Sequence, residues 1–409
     1  MKLRVSSEIG HLQSVIVHTP GKEVTLVGPE IKDQLLFDDI IYESDAQCEH
    51  KNMLEIFRTV MPEDGQIQEI TDLLFDCFKI DEARTFFVNQ LVNRLPELNL
   101  EAVQTDLMRL DASELLEFAL LGQTELLRGF NILPSPNILF TRDLAAVIND
   151  SIIISRAARK ARARESLLME MLVDYHPLFE SLRDRSFRLA HYDSIEGGDI
   201  LVVSENVVVI GMSERSSFSG IMKAARAIFE WGVEQILIVD IPKQRSSMHL
   251  DTIFTFVNKN ECIVFPPAIM DRKDNVVCLS GNQNGFITRT MPSLQQALEE
   301  LTGQPFTFIK CGGDNPITQN REQWTDGANV FALAPGIIVG YERNTQTFAA
   351  LQEHGYTVMN QFDFVEKYRD NPPDTTGSAR IAITFTGNEL CRGRGGARCM
   401  TMPISRKDI

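Results

Sequence analysis

The spacing of apolar residues changes several times along the 409-residue chain, and each change predicts an element. Residues 12–18 read as a strand, closed by a turn at Thr19-Pro20-Gly21-Lys22. Residues 46–61 have helical spacing and stop at Pro62, and Gln66 to Ile70 alternates like a strand. From about Asp72 to Phe130 the apolar period is helical: Leu73, Leu74, Cys77 and Phe78, later Leu91, Val92 and Leu95. Asp111 and Glu114 form a capping-box pattern ahead of Leu115, Leu116 and Phe118. Strand texture returns at Ser151–Ser155. It precedes a helix over 156–173 whose basic first half (Arg156, Arg159, Lys160, Arg162, Arg164) has the pattern of a solvated face. Residues 200–211 are two apolar strands around Ser204-Glu205-Asn206, followed by a helix over 217–231 and a strand at Gln235–Val239. Two further rounds follow. The first has strands at 254–256 and 262–265 and a helix over 292–301; the second has strands at 329–333 and 336–341 and a helix over 344–354.

A unit of strand, turn, strand, helix and strand therefore recurs at irregular intervals of about 50–70 residues, which favours a circular or stacked arrangement. The chain divides into an α/β body over 1–71 and 131–409 and a helical insert over 72–130. The polar, proline-rich stretch from Asp370 to Ser378 is expected to be a surface loop that covers or flanks the segment ending at Cys399.

Composition narrows the function. A formal net charge of -16 argues against nucleic acid or anionic membrane as the main partner and suits a cationic substrate. There is no apolar run of the roughly 18 residues a membrane span needs, and Met1 to Glu8 lacks a secretory h-region. The seven cysteines are scattered, with no CxxC pair and no zinc-like cluster, as expected of reduced thiols in a cytoplasmic protein without metal or cofactor.

The richest chemistry lies near the end, at Gly393-Arg394-Gly395-Gly396-Ala397-Arg398-Cys399-Met400. Glycines admit close approach of backbone to a ligand, and neighbouring arginines favour the nucleophilic thiolate. Four other segments stand out: Asn137 to Asp143, Glu196-Gly197-Gly198-Asp199, Met248 to Thr252, and Arg321 to Asn329 with Trp324. Each also has a plain reading, as a turn, a satisfied core histidine or a packing tryptophan, and the last is expected to be of that plain kind. His249 and Asp251, two residues apart, share a face if extended. Cys399 as nucleophile, His249 as acid and base, and Asp143, Glu196 and Asp251 as carboxylates make a set that repels anions and holds a cation. A planar guanidinium accepts the bidentate grip of carboxylates, and its carbon is open to a thiolate. The same acids raise the thiol pKa. The expectation is therefore that the empty site holds a thiol and the bound cation draws out the thiolate.

These motifs together resemble the bacterial arginine deiminases over essentially the full length of the chain. The matching segments, in order, are Ser7-Glu8-Ile9-Gly10, Leu36-Phe37-Asp38-Asp39, Phe140-Thr141-Arg142-Asp143, Glu196-Gly197-Gly198-Asp199, Ser213 to Ser217, His249-Leu250-Asp251-Thr252, Arg321-Glu322-Gln323-Trp324, and Arg392 to Met400. The resemblance implies a five-bladed, pseudo-fivefold α/β propeller with a helical insert. It implies hydrolysis of L-arginine to L-citrulline and ammonia without a cofactor, by a homo-oligomer. Cys399 would form a thiouronium intermediate, His249 would shuttle protons, Asp143 and Asp251 would grip the guanidinium, and Glu196 would support it and His249. Arg162 and Arg215 would hold the substrate α-carboxylate, with Arg164 a rival for the first. Asn137, Phe140 and Leu36 would line the pocket, Arg394 would gate it, and Gly393 would contact substrate. The sequence departs from the family pattern at Leu144, Ala397, the run Cys311-Gly312-Gly313-Asp314 and a long stretch over 364–388. Rival readings are an enzyme acting on agmatine, for which a carboxylate clamp is pointless, or on methylated arginine, and a non-enzymatic arginine-binding protein.

Overall fold

Five sheets carry the same pairing. In each, two neighbouring strands run antiparallel and a further strand lies parallel to the second. The computed structural model describes residues 2–94, 100–124, 132–190, 192–282 and 285–409. One sheet joins the two ends of the chain: Met402–Arg406 pairs with Leu12–Val17, which pairs in parallel with Gln66–Glu69. The others begin at Ala145–Ile148, Ile200–Ser204, Phe254–Asn258 and Phe331–Ala334. A parallel partner demands a long crossover, and a helix supplies it: Glu43–Val60, Ala163–Tyr175 and Phe218–Glu230 each link the second strand of a sheet to its third. The result is a mixed α/β architecture.

The second strands explain why the sheets are interior. Ser151–Ile154 and Ile337–Tyr341 are buried at every position. Their isoleucines and valines suit a pleated surface, and each fully buried aliphatic side chain contributes about 1.5–3 kcal/mol. Four helices, Ile70–Phe78, Asp81–Asn93, Leu100–Arg109 and Ala112–Leu121, occupy the expected insert. The capping box is present: Asp111 accepts from the Glu114 N–H, and Glu114 from the Asp111 N–H. Leu74, Phe78, Phe87 and Phe118 share one core with Leu168, Leu172 and Ile152. Residues 95–99 and 125–130 of the expected insert lie outside the described residues.

Several expectations change. The helix expected over 156–173 begins at Ala163, after a 3-10 turn at Lys160–Arg162. Its basic half is not a solvated face: Arg162 and Arg164 are buried. A hairpin of Val276–Asn282 and Gly285–Met291 extends one sheet to five strands. Its outer strand is largely exposed, so no apolar alternation marked it. The stretch over 364–388 is not one loop, because Ile381–Phe385 runs between Ile337–Tyr341 and Thr357–Asn360. Within it, Gly377 of the proline-rich segment packs where a Cβ would face Lys259 and Pro335.

Glu49, buried on Glu43–Val60, ties this framework to the C-terminal loop. Its carboxylate accepts from the N–H groups of Asn388 at 2.7 Å, Glu389 at 3.0 Å and Leu390 at 3.0 Å. Substituting Glu49→Ala orphans three donors and is expected to lower the unfolding free energy by about 3 kcal/mol, with Glu49→Gln in between. Urea denaturation measures it; an unchanged midpoint would mean these N–H groups need no protein acceptor.

Candidate active site

The five sheets contribute chemistry from one shared position, the few residues before the first strand. Asp143 precedes Ala145–Ile148 and Glu196 precedes Ile200–Ser204. His249 and Asp251 precede Phe254–Asn258, Asn329 precedes Phe331–Ala334, and Cys399 precedes Met402–Arg406. All six are buried. His249 is not in a strand, as its spacing from Asp251 suggested: it caps a 3-10 turn at Leu250–Thr252.

His249 stands between two carboxylates. Its Nε2 lies 2.9 Å from Oε2 of Glu196 and its Nδ1 lies 3.6 Å from Oδ1 of Asp143. Gly198 makes this closeness possible, since a Cβ there would sit 2.8 Å from both Asp143 Oδ1 and His249 Cγ. Arg162 backs the pair. It donates to Asp143, to Glu165 at 2.8 Å and to the Asn137 carbonyl at 3.1 Å, so each of its three nitrogens is already engaged. It therefore stands as a support for Asp143. Its rival, Arg164, is turned away to Ser135 and the Leu133 carbonyl. Arg215 lies 3.9 Å from Glu196 and 3.3 Å from Glu214. The ligand atoms of Asp143, Glu196 and His249 lie within 4.8 Å of one another, a donor set of metal-binding size. Arg162 already brings a cation to both carboxylates, at 3.6 Å from Glu196.

The thiol lies on the other side. Cys399 Sγ is 3.9 Å from Oδ2 of Asp251. Arg398 donates to the same oxygen at 2.7 Å and to Glu8 at 3.1 Å, so the arginine beside Cys399 serves the carboxylates and not the sulfur. Asn329 fixes the loop: its Oδ1 accepts from the Cys399 N–H at 3.0 Å and its Nδ2 donates to the Asp251 carbonyl at 2.9 Å. One oxygen each of Asp143 and Asp251 (Oδ1 in both) is buried without a hydrogen bond.

A rim closes over these groups. Arg394 takes a left-handed backbone, φ 67°, and lays its guanidinium 4.1 Å from the Trp324 ring centroid. It donates to the Trp324 carbonyl and, at 3.1 Å, to that of Ser246, and pairs with Asp38 at 3.3 Å. Gly393 packs against Ile41, Phe140 and Phe37, where a Cβ would crowd all three. Asn137 donates to the Leu35 carbonyl, and Leu36, φ 64°, has its carbonyl held by Arg245 at 2.6 Å. Trp324 is thus a stacking platform, not the packing residue its sequence context suggested.

Charge without water sets the proton positions. Burial works against the Glu196 carboxylate, but the His249 hydrogen bond with the Arg215 charge holds it down at about 2. Burial also opposes charge on His249, yet Asp143 and Glu196 raise it to about 9. Burial, then Asp251, Asp143 and Asp326, pushes the Cys399 thiol far above its ordinary value. The resting pair is accordingly thiol and imidazolium.

Sequence reasoning missed Asn329, Arg398 and Asp326. The signal that finds the first was present, since Asn329 fills in its sheet the place that Asp143, Glu196, Asp251 and Cys399 fill in theirs. Arg398 stood beside Cys399 but was read as acting on sulfur.

The raised His249 value predicts a titration. The folded state holds this proton more tightly than the unfolded chain, so the stabilisation is complete below about 6.5 and disappears as pH rises through about 9. NMR of the ring nitrogens is expected to show imidazolium until about pH 9, with Glu196→Gln lowering the midpoint by roughly a unit or more. A neutral ring at pH 7 would contradict the assignment.

Comparison with known proteins gives the family. A family model described as arginine deiminase matches residues 117–406. An arginine deiminase of Bacillus cereus is 34% identical over 438 aligned residues, covering 100% of this chain and 99% of the relative. One of Oenococcus oeni is 32% identical over 441, covering 100% and 98%. Among solved structures, an amidinotransferase of saxitoxin biosynthesis from Microseira wollei superposes with a TM-score of 0.54 at 14% identity, covering 100% of this chain and 98% of that one. A DDAH from Pseudomonas aeruginosa in complex with citrulline gives 0.51 at 13%, covering 96% and 99%. These two share the fold. No helix among the described residues is long and apolar enough to cross a membrane. The chain belongs to the arginine deiminase family, hydrolases acting on a guanidino C–N bond.

Proposed function

We propose that this protein hydrolyses L-arginine to L-citrulline and ammonia through a covalent intermediate on Cys399. One observation carries the reading. Asp143 and Asp251, the two acids of the site that raise the Cys399 thiol, each keep one buried oxygen (Oδ1) without a hydrogen bond, and an unmade hydrogen bond in such a place is costly. A planar guanidinium supplies N–H donors to both and sets its carbon near Sγ. Its charge offsets the carboxylates that hold the thiol protonated, so binding favours the thiolate.

The steps balance as follows. The thiolate forms a bond to the guanidinium carbon. The C–N bond to one terminal nitrogen breaks as imidazolium His249 gives that nitrogen its proton, and ammonia leaves. An S-alkylthiouronium remains on Cys399. Neutral His249 then takes a proton from water, whose oxygen bonds to the same carbon. The C–S bond breaks, the departing sulfur takes the proton of the new hydroxyl group and so returns as the resting thiol, and citrulline departs. Glu196 keeps the ring oriented and stabilises its charged form. The substrate α-carboxylate falls to Arg215, with Arg162 holding Asp143 in the conformation described; exchange of Asp143 for substrate would free Arg162 to join it. Asn137, Phe140, Leu36 and Gly393 form the wall, and Arg394 the cover. In the same reading the five like sheets are the blades of a pseudo-fivefold propeller, with residues 72–130 as its helical insert.

Wild type is expected to release citrulline from arginine and far less from agmatine, and Cys399→Ala to lose at least roughly a thousandfold in rate. Equal turnover of agmatine would remove the α-carboxylate assignment. A separate measurement addresses ionisation: the ultraviolet absorbance of the thiolate, against Cys399→Ala. A midpoint below neutral pH in the substrate-free protein would sink the substrate-assisted step.

A further inference from the structure

Two segments lie face to face beside the nucleophile, Trp324 to Asn329 and Arg394 to Cys399. They touch at both ends. Arg394 stacks on Trp324 and donates to its carbonyl. The Cys399 N–H reaches the Asn329 side chain, and a Cβ on Gly396 would meet Asn329 at 2.7 Å. Asp326 lies in the middle of the first segment. It is 2% exposed, and neither of its carboxylate oxygens has a hydrogen-bond partner. Its backbone is left-handed, φ 60°, a costly conformation for a non-glycine residue. Only its backbone is satisfied, by the Gln323 carbonyl and the Asn329 N–H.

Three carboxylates bear on the Cys399 sulfur: Asp251, Asp143 and Asp326. Arg398 contacts the first and Arg162 the second. Arg394, whose charge does reach Asp326, makes its ion pair with Asp38 instead, as does Arg245. Burial weakens Asp326 as an acid to about 6, which leaves it ionised at neutral pH. Among the described residues, its negative charge is thus the one of these three that no cation in contact offsets.

We propose that Asp326 is a specificity-determining residue whose uncompensated charge makes this enclosure favour a cationic guanidinium over a neutral ureido group of the same shape. The proposal rests on the reading of arginine as substrate and citrulline as product. The two differ at the reacting carbon by an amidinium nitrogen exchanged for oxygen, and so by one positive charge. Shape alone separates them poorly; beyond the hydrogen bonds to Asp143 and Asp251, a full charge enclosed in a site of low polarity separates them by roughly a further tenfold or more. The same device empties the site after reaction, because hydrolysis destroys the charge that held the ligand.

The test is calorimetric binding of arginine and of citrulline to the full chain carrying Cys399→Ala, with and without Asp326→Asn. Asparagine tolerates the left-handed backbone and removes only the charge, and Asp326→Ser is the second variant should the first not fold. The expected result is a roughly tenfold loss for arginine with citrulline changed less than about twofold. A higher thermal midpoint is also expected, since a buried unpaired charge is removed. Equal losses for both ligands, or no loss for either, would overturn the proposal while leaving the substrate assignment intact. If the parent variant binds no arginine at all, the substrate assignment falls and this proposal with it.

Discussion

Keeping a carboxylate ionised out of water is costly unless a cation or several N–H groups touch it, and most of the framework around this site is arranged to supply them. Arg398 spans Glu8 and Asp251, and Arg162 spans Asp143 and Glu165. His249 stands between Glu196 and Asp143. Each bridge joins different parts of the chain, so the pairs position the loops as well as satisfy the charges. Glu8 lies just ahead of the first strand and Arg398 just ahead of the last, and their ion pair brings the two ends together beside the nucleophile.

The repeated sheet turns this into a site. Each sheet presents the residues before its first strand to a common place, so one architectural position supplies an acid, an ion-pairing base, an amide and a thiol. No single sheet holds enough groups to bind or react. Glycines complete the arrangement where side chains would not fit, most clearly at Gly198 between Asp143 and His249 and at Gly395 against Phe140.

The same crowding of acids that would bind a guanidinium suppresses the free thiol. In the proposed reaction this resolves the conflict between Cys399 as nucleophile and the carboxylates beside it. A thiol that ionises only when a cation arrives is protected from stray electrophiles, and the reaction is coupled to recognition. Asp326 extends that logic, since its charge has no partner in contact until a cation enters.

The sequence by itself determined the elements and much of the inventory. Apolar spacing located the second strands, the crossover helices and the helices of the insert, because burial imposes a period on the residues that face a core. The glycine-flanked Cys399, His249 with Asp251, and Glu196 were legible because few structural needs explain such groupings. The hairpin of Val276–Asn282 and Gly285–Met291 was not legible, because its outer strand is largely exposed and has no such period. Only the tertiary structure decided what each charge touches. It turned Arg162 inward to Asp143, Arg164 away to Ser135 and Arg398 onto Asp251, and set Trp324 under Arg394. It also left Asp326 without a partner. Contacts of this kind depend on distances between residues far apart in the chain, which local pattern does not encode.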